Sequence, residues 1–138
     1  MAKGKVKATN TKNATNIKVE PPKVDYDKLP ILFSFEKLVG DKYCYNNLID
    51  EDKKQLLESI VKRRAMPWTE IKKTHKHGLG MEKINRGSIK GAIPKFITED
   101  MDHFLAFRFS GKKPMVGYRE KNIFYILWLD NDYTLYPH

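Results

Sequence analysis

Hydrophobic positions concentrate from Phe104 to Leu129, where three runs rich in aromatic and branched residues are separated by two short polar turns. This pattern predicts a three-stranded antiparallel meander, with its first turn at Gly111–Pro114. In the first run Leu105, Phe107 and Phe109 share a face, which puts Arg108 on the other with Phe104 and Ala106. The last run, Ile123 to Leu129, is apolar on both faces. Strict alternation there sends Phe124, Ile126 and Trp128 one way and Ile123, Tyr125, Leu127 and Leu129 the other. Such a strand belongs inside a sheet, with Trp128 buried.

The earlier chain is patterned differently. Ile31–Phe35 has strand propensity, and Lys42–Tyr45 reads as a second extended piece. Asp50 is placed to cap a helix, with Glu51 and Asp52 in its first turn. Leu56, Leu57, Ile60 and Val61 follow at helical spacing, and Lys62, Arg63 and Arg64 close the helix. Pro67 opens a second short helix through Trp68, Ile71 and Lys72. Gly78, Gly80, Gly87, Gly91 and Pro94 then interrupt any regular element across residues 75–101. The expected order is βααβββ, an α+β fold with a small antiparallel sheet and two helices packed on one face.

The chain has 138 residues, the length of one domain. Residues 1–19 carry Lys3, Lys5, Lys7, Lys12 and Lys18, no acidic residue and little that could be buried. Pro21-Pro22 follow, and Pro30 marks entry into the fold. Residues 1–28 therefore read as a flexible basic arm and residues 29–138 as a single domain. Cys44 is the only cysteine, so no intramolecular disulfide forms, and Tyr43 and Tyr45 beside it suggest a structural thiol in a reducing compartment. No apolar run approaches the roughly 20 residues of a membrane span, and no hydrophobic signal core opens the chain. The expectation is a soluble cytoplasmic protein without a membrane partner.

Charge sharpens this picture. The formal net charge is +9, and between Lys62 and Lys95 there are ten basic residues against two acidic ones. A basic helical side next to strands carrying Arg108 and Arg119 suits a polyanion, with Lys62, Arg63, Arg64, Lys72, Lys73 and Lys76 as contacts. The plainer alternative is a solvated basic surface. No cysteine, aspartate or third histidine stands at zinc-ligand spacing from His75-x-His77, and Glu99, Asp100 and Asp102 fit a turn before the meander, so neither a metal nor a cofactor is expected. There is no phosphate-binding loop ending in Lys-Ser/Thr and no Gly-x-Ser-x-Gly. The residue types present suffice for metal-free RNA cleavage. In that reaction a base deprotonates the 2′-hydroxyl, cations hold the phosphorane and an acid protonates the leaving oxygen.

Phe107-Arg108-Phe109, a glycine turn, Val116-Gly-Tyr-Arg119, the apolar strand Ile126-Leu-Trp-Leu-Asp130 and Leu135-Tyr136 together resemble the RelE/ParE-type bacterial toxins, including the YoeB and HigB branches. The resemblance is loose over residues 31–136 and more specific over 104–136. It implies a ribosome-dependent endoribonuclease that cleaves mRNA and is neutralised by an acidic antitoxin protein. Carried over, Arg108 and Arg119 would hold the scissile phosphate, Tyr136 would lie near the cut, and Lys72 and Lys73 would contact RNA. Where the family carries an arginine at the start of the second meander strand, this chain has Lys112-Lys113-Pro114. Lys113 would take that place with the charge but without the planar fork. Two other classes remain open: a non-catalytic RNA- or ribosome-binding module, and a phage or defence protein whose basic face binds an acidic protein.

Overall fold

A computed structural model describes residues 21–138. The expected basic arm lies outside the described residues as far as residue 20. The regular elements are β1 (Leu32–Ser34), α1 (Asp50–Lys62), α2 (Trp68–Lys73), β2 (Met81–Asn85), β3 (His103–Ser110), β4 (Lys113–Glu120) and β5 (Ile123–Leu129). The strands form one sheet in the order β1-β5-β4-β3-β2, with β1 parallel to β5 and the other neighbours antiparallel. The fold class is α+β, and β5 lies inside the sheet.

Four details differ from the expectation. β2 extends the meander by one strand. Its sequence, Met-Glu-Lys-Ile-Asn, holds a single β-branched residue, so its extended state comes from pairing with β3 and not from propensity. Lys42–Tyr45 is not a strand; it leads through a turn into the 3₁₀ turn Tyr45–Asn47. Ile49, not Asp50, occupies the N-cap of α1, and Asp50, Glu51 and Asp52 lie in its first turn, favourably placed for the helix dipole. Finally, the fold starts before residue 29. The 3₁₀ turn Tyr26–Lys28 is tied down by Asp27, whose carboxylate accepts from Lys72 Nζ and Arg119 Nη2.

Both faces of the sheet are covered. On the first, Leu105, Phe107, Phe109, Met115, Phe124, Ile126 and Leu129 pack against Leu56, Trp68 and Ile71 of the helices. On the second, Phe104, Ala106, Val116, Leu127 and Trp128 are roofed by Ile89, Ile93, Ile97 and Met101 of the long connection and by Leu135 and Tyr136 of the tail. Trp128 is fully buried. Its face is the opposite of that of Phe124 and Ile126, because β5 bulges. Val116 pairs with Trp128 while Gly117 pairs with Ile126, leaving Leu127 as the extra residue. The bulge brings the β5 backbone against Gly117, where a Cβ would lie 1.8 Å from the Tyr125 carbonyl oxygen. Only glycine fits there.

Asp130 then turns the tail back over the second face. It is fully buried, its carboxylate accepts from the amides of Thr134 and Leu135, and its own amide donates to the Pro114 carbonyl. The Lys90 amide donates to the Leu135 carbonyl and locks the tail to the long connection. Tyr136 is thereby held at the end of the sheet where Arg108 emerges.

Candidate functional site

A cavity of about 430 Å³ opens at that end of the sheet, with Ala106, Phe107 and Pro114 among its apolar walls. Lys76, Glu82, Arg108, Lys112, Tyr136 and His138 surround it. Arg108 reaches it from the last turn of alternation in β3, on the face of Phe104 and Ala106. Glu82 reaches it from β2, where it sits opposite Ala106 and two residues before the buried Ile84. The Lys76 ammonium lies 3.5 Å from the Glu82 carboxylate. Lys112 comes from the β3–β4 turn, which Gly111 makes possible at φ +58°.

The titratable groups have distinct electrostatic settings. Burial pushes the Tyr136 phenol well above the usual tyrosine range, and the Glu82 and Asp130 carboxylates add to this while Arg108 opposes it. Tyr136 is therefore a hydrogen-bond donor near neutral pH and not a base. The His138 ring lies 4.2 Å from the Tyr136 ring and 5.2 Å from that of Tyr133. Its Nε2 is 3.5 Å from the buried Asp130 carboxylate. His77 Nδ1 bonds Arg108 Nη1. Desolvation first, and then the Arg108 charge, hold His77 below the ordinary histidine value.

Of the residues singled out in the sequence, Arg108, Tyr136 and Lys76 meet here. Arg119 does not. It lies on the other face and at the other end of β4, 4.3 Å over the Trp68 ring, with its Nη2 2.6 Å from Asp27. Lys72 reaches the same Asp27 carboxylate at 2.7 Å. Arg119 and Lys72 thus converge on a carboxylate of their own chain, and the expected convergence of Arg108 with Arg119 on one phosphate is not found. Lys113 also points away, 2.6 Å from the buried Asp52 carboxylate, which accepts from Ser110 as well.

The helical cations divide in a similar way. Arg63 is 1% exposed, donates to the carbonyls of Ser59, Leu79 and Arg108, and stacks on Phe107. It is a core residue with no face left for RNA. Lys62, Arg64 and Lys73 are exposed, and Lys62 shares a shallow depression of about 170 Å³ with His77 and Arg108. Of the four apolar residues at helical spacing in α1, Leu57 and Val61 are exposed. Lys112, Glu82 and His138 were not among the sequence candidates. Glu82 gave no signal of its own, because the strand that carries it is set by pairing with β3.

The arrangement gathers, around one cavity, a carboxylate able to accept a proton, several cations able to hold an anion, and a phenol and an imidazole able to donate. Among the described residues no three His, Cys, Asp or Glu side chains are grouped so as to hold a metal ion, and no helix is long and apolar enough to cross a membrane. The chain matches no protein-family model, no curated protein and no solved structure.

Proposed function

We propose that the chain is a metal-independent endoribonuclease acting on mRNA at the ribosome, as a toxin of the RelE type would, and that an acidic antitoxin protein restrains it in the cytoplasm. One observation carries this reading: Arg108, which the resemblance implies at the scissile phosphate, and Tyr136, which it implies near the cut, line one cavity with Glu82 and His138. Glu82 takes the proton of the 2′-hydroxyl. The 2′-oxygen attacks phosphorus as the bond to the 5′-oxygen breaks. Arg108, with Lys76 and Lys112, offsets the charge that builds on the phosphorane, where fixed cations in a partly desolvated site act most strongly. His138, oriented by Asp130, protonates the leaving 5′-oxygen, and Tyr136 donates a hydrogen bond to the phosphoryl oxygens. The products are a 2′,3′-cyclic phosphate and a 5′-hydroxyl.

The test is induction of the wild-type chain in bacteria, with mapping of new mRNA ends and their chemistry. Ribosome-dependent cuts bearing 5′-hydroxyl ends support the proposal. Absence of cleavage under translation overturns it and leaves the same cavity as a phosphate-binding site of a non-catalytic module.

A further inference from the structure

At the opposite end of the second face lies a different cavity of about 440 Å³, whose lining includes Phe96, Ile97, Met101, Tyr118, Lys37 and Glu120. This volume is in the range of small-ligand pockets. Two aromatic rings, Phe96 and Tyr118, stand in its wall. Tyr118 and Tyr125 stack with centroids 5.1 Å apart and 16° between planes, and Phe96 leans on Tyr118 at 6.2 Å. Phe96 is 49% exposed although it lies beside the buried Ile97. The Lys37 ammonium stands over its ring at 5.3 Å. An exposed phenylalanine that carries a cation and is backed by a tyrosine pair is poorly explained as core, since burying it would stabilise the fold more.

The two cavities are related by the fold. Arg108 pairs with Pro114, and Tyr118 stands four residues further along β4. At the usual rise per residue they are roughly 13 Å apart along the strand. The connection that roofs this face links the same two places. Lys90, beside the tail that carries Tyr136, and Lys95, next to Phe96, are both exposed on it.

We infer that Phe96, Tyr118 and Lys37 form a base-stacking subsite for single-stranded RNA, holding a nucleotide a few positions from the phosphate bound at Arg108. Aromatic faces next to cations take unpaired bases in a sequence-tolerant way, because every base offers a π-face. Lys90 and Lys95 supply the backbone contacts between the two cavities. The inference deepens the cleavage reading, from which it takes the identity of the polymer.

A ten-nucleotide, fluorescein-labelled 2′-O-methyl oligoadenylate tests it, because this probe lacks the nucleophile and is bound without being cut. Fluorescence anisotropy is compared for wild type, Phe96→Ala and Lys37→Glu, each first checked for an unchanged circular dichroism spectrum, and repeated with the oligouridylate. The expected result is about tenfold weaker binding of the adenylate by Phe96→Ala, the size of one lost stacking contact, with a smaller loss for the uridylate. Lys37→Glu weakens both. Equal binding by wild type and Phe96→Ala, or no binding of the adenylate by wild type, overturns the subsite. Cleavage is read separately from mRNA ends, so failure of the subsite and failure of the cleavage reading are told apart.

Discussion

Single residues decide which of many cations are available for chemistry. Lys62, Arg63 and Arg64 look alike in the sequence, yet Arg63 is enclosed by Ser59 and Phe107 while its neighbours face solvent. That choice depends on where α1 meets β3, which local pattern does not encode. Arg108 was legible, because alternation in β3 placed it opposite Leu105, Phe107 and Phe109. Its partner His77 gives a pH-dependent prediction. The folded state holds His77 below its ordinary value of 6.5. Between these two values the unfolded chain binds more protons, so stability rises with pH across this window and is lost as pH falls through the folded value. His77→Gln removes that dependence. Thermal melts at pH 7 and pH 5 should show a smaller drop for the variant than for wild type. An equal or larger drop would mean that the fold does not disfavour the protonated form of His77 through desolvation and the Arg108 charge.

At the scale of elements, the meander and both helices could be read from periodicity, but β2 and the bulge could not. A bulge adds one residue to one strand, so every later side chain changes face while the sequence continues to alternate. Trp128 was correctly expected to be buried, but on the wrong side of the sheet. Gly117 is the residue that accommodates this shift. Gly117→Ala should destabilise the protein by about 1–3 kcal/mol or more, as overpacking against rigid backbone does, measured by urea unfolding. A variant as stable as wild type would show that the close approach to Tyr125 is not needed. The same bulge sends Trp128 under the Asp130 turn, so the element that shapes the core also sets the path of the tail that brings Tyr136 and His138 to the cavity.

For the whole molecule, charge and topology have to be taken together. The net charge of +9 predicts an anionic partner but not where it binds. The fold separates the two strand arginines. Arg119 is neutralised by Asp27 at one end of β4, while Arg108 stands at the other end among Lys76, Lys112 and Glu82. Sequence reasoning treated these arginines as equivalent because the register and the N-terminal turn carrying Asp27 are set by long-range contacts. The central claim is that chemistry belongs to the Arg108 cavity alone, and paired substitutions test it most directly. Cleavage of mRNA in cells should be compared for wild type, Arg108→Ala, Arg108→Lys and Arg119→Ala, at matched levels of folded protein. The account predicts a loss of about a hundredfold or more for Arg108→Ala, the scale of losing one preorganised donor to a transition state. It predicts partial recovery with lysine, which keeps the charge but not the planar fork, and near wild-type cleavage for Arg119→Ala. Cleavage that survives Arg108→Ala and disappears with Arg119→Ala would contradict it.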